Sequence, residues 1–500
     1  MLRITMGRQT RAVALACALA ALTGCDKLLE VDLPAAVTEE ALEGPATAQL
    51  KVSSIMGLVE CSYSSMAMDA SGMEDNFQMV TGVAGQYSQY DDTAGGGACD
   101  PNVYSQNWHS DLLLARGLGY KTYGEVLSYG LPSSDRLAAI TAFYTAVTLG
   151  IFGDYFCEFA IDAGPLLTYS QTLDIAEAWA DSALARAPAT FALTASAGTV
   201  TTDFRQAALG LRARIRWANG DLAGAAADAS GVSNGLMAWV LRETPEDRRN
   251  MISSMQGNGG GVQAAGFLQG PVKLKTDADD YGITALGNIP GTSTPWPSPV
   301  PFTGYIDLAI QTADGRAVDD AGHALTLADP GTEADTRVEH AIGPTAGGPD
   351  YVIAKYTSLE DDIPLVNWRE MRLIEAEAAG ATAAGVDFVN EIRTADGLPI
   401  VQGGYRTAVE GDATLYENLI FEERRRALWL EARWWATKLQ HTDRLWFPRA
   451  VGDWINQDAT YGLGGGVRLL MFNNEYELNE NFGLEHRATG CPPDQAPVGF

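Results

Sequence analysis

The stretch DFRQAALGLRARIRWANGDLAGAAADAS, Asp203 to Ser230, decides the fold. From Phe204 to Trp217 its apolar residues return at three- and four-residue steps, the spacing of an amphipathic helix. The triplet NGD at 219–221 interrupts that pattern, and a second, alanine-rich helix is expected from about Leu222. Two helices joined by so short a turn have to run antiparallel. The order aromatic, Gly-Asp, alanine-rich helix resembles half of a tetratricopeptide repeat, in which small residues let paired helices approach closely, although any antiparallel pair shares much of it.

Working outward, DIAEAWADSALARA places Ile175, Ala178, Trp179 and Ala183 on one stripe, with Pro188 closing the helix. Helical spacing also runs from Ala41 to about Glu60 and from Ser134 to Leu149, and returns in VNWREMRLIEAEAAGA, AAGVDFVNEIRTADGLP and LYENLIFEERRRALWLEARWWATKLQ. The fold class is therefore mainly all-α, a tetratricopeptide-like scaffold of helical hairpins near residues 134–160, 172–230, 366–395 and 415–440, with few short strands. Between 243 and 348, runs such as QGNGGG and PGTSTPWPSPVPFTGY read as a loop-rich insertion holding short strands at most, and structureless stretches of that length are usually functional. Residues 25–242 and 243–500 are the two regions this implies.

The N-terminus carries a different signal. Arg3, Arg8 and Arg11 make a positive head, and Ala12 to Leu22 an uncharged apolar run, the layout of a secretory signal over residues 1–24. The run falls short of the roughly 20 residues a membrane span needs, and no other stretch is expected to come close. It ends in LTGC, which resembles a lipobox; Cys25 is then the lipidated first residue of the mature chain. The alternative is an ordinary cleaved signal beside an incidental cysteine.

Removing residues 1–24 takes three arginines and no acid from 34 basic and 63 acidic residues, moving the formal charge from −29 to −32. Phosphate backbones would be repelled, so nucleic acid is excluded as a partner. With 46% hydrophobic residues the chain can bury a large core. Of six cysteines, Cys17 leaves with the signal and Cys25 takes lipid, leaving Cys61, Cys99, Cys157 and Cys491. Four cysteines pair in three ways. The loop GGGACDPN favours Cys61 with Cys99, and Cys157 with Cys491 by default; four free thiols is the alternative.

Motifs for chemistry are few. The five histidines show no metal-ligand spacing, and neither a G-x-S-x-G elbow nor a phosphate-binding loop occurs. No metal and no cofactor is expected. DADDYG, from Asp277, opens like a calcium loop, but its twelfth position is Asn288 and not glutamate. Glu422 and Glu423 invite a glycosidase reading, yet they lie four and three residues before Arg426, the spacing of intrahelical ion pairs, with Phe421, Leu428, Ala432, Trp435 and Leu439 as one apolar stripe. They are not expected to be catalytic.

The order of segments along the chain resembles the SusD/RagB family of nutrient-binding lipoproteins. The resemblance rests on CDKLLEVDLPAAVTEEAL after the lipobox, FYTAVTLGIFGDYFCE, RLIEAEAAGATAAGVDFVNEIRTADGLP with Asn390, Arg393, Gly397, Leu398 and Pro399, LIFEERRRALWLEARWWATKL, and MFNNEYELNEN. It departs from the family at Trp108 and HSDLLLARGLGY, where an asparagine is missing, and at Asn473, where proline is common. It implies a non-enzymatic lipoprotein, anchored in the outer membrane through Cys25 and facing the cell surface. That protein would capture a glycan, or a peptide, for a SusC-like TonB-dependent transporter. A surface glycoside hydrolase and an assembly scaffold are the alternatives.

A glycan site needs aromatic planes for the C–H faces of sugar rings beside side chains that bond hydroxyls. DPNVYSQNWHS offers Tyr104 and Trp108 with Asn102, Gln106 and Asn107, and TPWPSPVPFTGY offers Trp296, Phe302 and Tyr305. Trp108 and Trp296 are expected to face one pocket; both being packing residues under long loops is the alternative.

Overall fold

The computed structural model describes residues 43–73, 77–79, 108–244, 248–257, 262–264, 335–338, 340–345, 348–445, 468, 471, 473–483 and 486. The chain divides into two compact units, 1–47 and 48–500. In the first, Pro45–Thr47 form one 3-10 turn. The second is mainly helical.

Its helices stack in chain order. α1 (Ala48–Met73), α2 (Trp108–Ser128) and α3 (Ser134–Tyr155) pack on one another, α4 (Tyr169–Arg186) lies on α3, and α5 (Phe204–Ala218) with α6 (Leu222–Ala229) forms the hairpin read from NGD. A short helix, α7 (Met251–Gly257), packs on α1. The chain then returns in α8 (Trp368–Ala379), which packs on α5 and α6, followed by α9 (Ala383–Ala395), α10 (Gly403–Gly411), α11 (Ala413–Ala427), α12 (Trp434–Gln440) and α13 (Asn473–Leu478). Helix starts are set locally by side chains that accept from first-turn amides. Thr168 and Gln171 form a capping box on α4, Asp203 accepts from Gln206 N at 2.9 Å, and Asp221 from Gly224 N at 2.9 Å.

Close approach is built with glycine. A Cβ on Gly153 of α3 would fall 2.5 Å from Leu173 Cγ of α4, and one on Gly210 of α5 would fall 2.6 Å from Val366. Gly220, in the NGD turn, has φ +86°, a conformation that costs little only for glycine.

Ten short strands serve as clasps: β1 (Phe77–Met79), β2 (Glu158–Ala160), β3 (Leu166–Thr168), β4 (Leu193–Ala195), β5 (Gly198–Thr201), β6 (Met237–Val240), β7 (Val262–Ala264), β8 (His340–Thr345), β9 (Gly348–Ile353) and β10 (Ile363–Asn367) among the described residues. One antiparallel sheet, ordered β10-β6-β5-β4, joins strands from both sides of residue 243, so the two regions read from the sequence share a sheet.

Four expectations need correction. The stretch after residue 243 holds a helix, α7, where only strands were expected; Asn250 starts it, its Oδ1 accepting from Ser253 N at 3.1 Å. On α4 the buried stripe is Thr172, Leu173, Ala176, Ala180, Ala183 and Leu184, while Ala178 is exposed and Ile175 and Trp179 sit at its edge; the tight seam with α3 selects small residues. α3 is long and apolar enough to cross a membrane, contrary to expectation, but every residue in it except Asp135 and Arg136 is buried in the protein.

The last correction concerns Phe421, Leu428, Ala432, Trp435 and Leu439, read as one apolar stripe, which do not lie on one helix. α11 ends at Ala427, and a buried turn holding Leu430 and Ala432 at φ +59° precedes α12. Left-handed conformation costs such residues roughly 1–2 kcal/mol. Four consecutive carbonyls in that turn take side-chain donors: Lys355 Nζ gives to Trp429 O (2.5 Å), Tyr356 to Leu430 O (3.4 Å), Tyr63 to Glu431 O (3.5 Å) and Tyr155 to Ala432 O. The Glu431 carboxylate is also held, by Asn367 Nδ2 at 3.0 Å and Lys355 Nζ at 2.8 Å. α1, α3 and the chain entering β10 thus converge on this turn.

Candidate functional site

Of the six residues predicted to bind ligand, Asn102, Tyr104, Asn107, Trp296 and Tyr305 lie outside the described residues, as do Cys25 and the DADDYG segment. Trp108 is described. It opens α2 at 3% exposure, and its indole Nε1 donates to Asp69 of α1 at 2.8 Å. An indole so covered offers no face to a sugar, so Trp108 is a packing residue, the alternative weighed for it from the sequence.

The surroundings of Trp108 explain its burial. Its ring meets Phe156 edge to face at 6.0 Å, His109 packs against both Phe152 (5.4 Å) and Phe156 (5.3 Å), and Phe152 stacks on Phe159 at 4.3 Å. Burial pushes the Asp69 carboxyl up to about 7, with the Trp108 N–H pulling the other way, and pushes His109 down to about 3. The cluster fixes the first turn of α2 against α1 and the end of α3. Its signal was an aspartate in the apolar run MAMDASGM of α1, facing no expected cation.

The far end of the 243–348 stretch is fixed by charge. Arg337 pairs with Asp335 (2.8 Å) and with Glu423 of α11 (2.6 Å); Glu423 also takes Arg393 of α9 (2.5 Å). Glu423 therefore pairs across elements and not along its own helix, whereas Glu422 makes the expected contact with Arg426 (3.3 Å) and a further one with Arg425 (2.8 Å). Burial alone would raise the Glu423 carboxyl, but Arg337 and Arg393 outweigh it and hold the group below the usual glutamate range. A general acid needs the opposite shift. Glu422 and Glu423 are 1% and 2% exposed and are held in structural ion pairs.

Two family-like segments prove to be clamps. Asn390 exchanges hydrogen bonds with Val401 N (2.7 Å) and O (3.0 Å), and Arg393 donates to Pro399 O (2.6 Å), which closes the turn after α9. Near the C-terminus, Asn479 and Asn481 donate to Gly164 O (3.0 Å) and Ala163 O (2.6 Å), and Tyr476 bonds Glu158. Cys61 and Cys157 each take part in a disulfide; Cys99 and Cys491, the partners read for them from the sequence, lie outside the described residues. Among the described residues no group of three His, Cys, Asp or Glu side chains could hold a metal ion.

No sequence-family model matches the chain, and no curated protein is detectably similar to it. Its fold is nonetheless shared. A SusD-like carbohydrate binding protein from Bacteroides vulgatus superposes with a TM-score of 0.50 at 13% identity, over 87% of this chain and 97% of that one. A SusD-like carbohydrate binding protein from Bacteroides fragilis does so with a TM-score of 0.50 at 13% identity, over 90% and 98%. A SusD superfamily protein from Bacteroides vulgatus gives 0.50 at 14% identity, over 79% and 88%. The chain has the SusD-like fold, a tetratricopeptide-like helical scaffold, across nearly its whole length.

Proposed function

We propose that this protein is a SusD/RagB-type lipoprotein that captures a glycan at the cell surface and hands it to a SusC-like TonB-dependent transporter. The observation that carries the reading is the fold shared, nearly end to end, with proteins described as carbohydrate binding. The LTGC site supports lipidation at Cys25 and an outer-membrane location. Binding without catalysis fits Glu422 and Glu423, whose charges are spent on arginines. The ligand residues we assign are Asn102, Tyr104 and Asn107 in the segment that Trp108 anchors, with Trp296 and Tyr305 in the stretch that Asp335 and Arg337 anchor. A peptide is the second ligand class.

Extraction of the protein from its native outer membrane in mild detergent tests the reading. A β-barrel transporter should co-purify, and a Cys25→Ala variant should move, folded, to the soluble fraction. Retention of that variant on membranes, or a lone monomer after gentle extraction, would count against it.

A further inference from the structure

α2 and α4 both lie on α3, and three aromatic side chains meet over it: Tyr120 and Tyr123 from α2, and Trp179 from α4. The Trp179 ring is 4.8 Å from Tyr120, tilted by 52°, and 5.1 Å from Tyr123, at 86°. Neither tyrosine stacks parallel on the indole. All three are partly open to solvent, unlike Trp108 and Trp217 in the same half of the molecule, which are 3% and 5% exposed.

The ends of this row are polar. The Arg116 guanidinium lies 5.3 Å from the Tyr120 ring centre and donates to Asp162 at 2.5 Å. At the other end Arg186 Nε donates to the Tyr123 hydroxyl at 3.4 Å, and its Nη1 to Asp135 at 3.1 Å. Asp162 and Asp135 have side chains 73% and 69% exposed, so both carboxylates keep oxygens in water. From Arg116 to Tyr123 the row spans about 10 Å of helix.

α2 also leaves room beside the rings. Gly117 and Gly124 flank Tyr120 on its own face, and a Cβ at either would meet nothing within 4 Å. Glycine is a poor helix former, and here it is not needed for packing, in contrast to Gly119, whose Cβ would collide with Thr145 of α3. The two glycines make a notch on each side of the tyrosine.

We infer that the Tyr120–Trp179–Tyr123 row is a further carbohydrate subsite, on the helical scaffold and apart from the loop residues assigned above, that takes one or two neutral sugar rings. Aromatic faces not covered by parallel stacking accept the weakly positive C–H face of a pyranose. Exposed Asp135 and Asp162 accept from its hydroxyls, and the glycine notches admit the ring's edge. Each arginine in the row is already matched by a carboxylate, so nothing there selects an anionic sugar, and the −29 formal charge of the chain disfavours one. The inference rests on the sugar-binding reading and adds a place and a ligand class to it.

Calorimetric titration of the purified protein with maltohexaose, cellohexaose and a galacturonate hexamer tests it, using wild type, Trp179→Ala, Trp179→Phe and Gly124→Leu. A neutral hexamer should bind, the galacturonate should not, and Trp179→Ala should weaken binding at least tenfold or remove one site from the stoichiometry. Trp179→Phe should restore part of it. Gly124→Leu fills a notch at a position where a Cβ meets nothing within 4 Å and raises helix propensity, so it should fold and still bind at least fivefold more weakly. Unchanged affinity and stoichiometry in Trp179→Ala and Gly124→Leu would overturn this subsite and leave the sugar-binding reading standing. Absence of binding by wild type to either neutral hexamer would overturn the subsite and weigh against that reading as well.

Discussion

α3 and the stretch from Glu422 to Arg433 are both buried, by opposite means. α3 is an alanine-, threonine- and aromatic-rich rod buried mainly through apolar contact, with Tyr144, Asp154 and Tyr155 bonded to other elements, and its threonine hydroxyls bond back to its own carbonyls, as Thr141 does to Leu137 O at 2.8 Å. The second stretch buries Glu422, Glu423, Arg424, Arg425, Arg426, Glu431 and Arg433, each within 4% of full burial. There, specificity comes from matching charges. Apolar burial tolerates approximate geometry, whereas a buried ion loses its compensation once its partner goes.

The comparison breaks most sharply at Glu370 of α8. Fully buried, it accepts from Arg214 (2.9 Å) and Arg433 (2.8 Å), while Arg433 also reaches Asp154 (2.7 Å). Burial would raise its carboxyl, but Arg214 and Arg433 outweigh that and hold it at about 2. A depressed acid contributes stability that is present above its unfolded value near 4 and lost as pH falls toward 2. Glu370→Ala strands the Arg214 guanidinium and leaves Arg433 only Asp154, and should cost about 4 kcal/mol in urea unfolding at pH 7. A loss below about 1 kcal/mol would mean that the network is not what holds this half.

Asp69 gives the next largest effect, with the opposite sign. Its folded value of about 7 lies above the unfolded one near 4, so its contribution is full below pH 4 and is lost as pH rises through 7. His109, held near 3, works the other way: its contribution is present above about 6.5 and lost as pH falls toward 3. Between pH 4 and 6.5 the two slopes offset each other. Asp69→Asn keeps an acceptor for Trp108 and removes the titration, so its stability relative to wild type should rise by about 3 kcal/mol from pH 5 to pH 8. A difference independent of pH would contradict the buried carboxyl.

In the apolar half the expected effects are smaller. Gly153→Ala drives a methyl into Leu173 and should destabilise by about 2 kcal/mol, measured by thermal unfolding. Gly220→Val should cost about 1 kcal/mol, because its φ of +86° suits glycine and its Cβ meets no neighbour. Were Gly220→Val the worse of the two, backbone conformation and not packing would limit this half.

Legibility in the sequence follows the same division. The α5–α6 hairpin falls where NGD put it, ending at Ala218 and restarting at Leu222, because turn chemistry and apolar period are local. The end of α11 could not be read, since LYENLIFEERRRALWLEARWWATKLQ keeps helical spacing through the break. Its left-handed Leu430 and Ala432 exist only because Tyr63, Tyr155 and Lys355, far away in the chain, hold the carbonyls around them. Trp108 shows the limit for binding residues. Composition marks an aromatic beside amides, while the buried Asp69 that claims it lies 39 residues earlier. The Tyr120–Trp179–Tyr123 row escaped notice because Trp179 fits the period of a buried stripe and lies one step off it.

The claim that this protein captures sugars without cleaving them is tested most directly by affinity electrophoresis. The native protein is run through gels containing soluble neutral polysaccharides, and the polysaccharide is sized afterwards. The account predicts retardation in at least one such gel with the chain length of the polysaccharide unchanged; unretarded migration in every gel, or shortened polysaccharide, would contradict it.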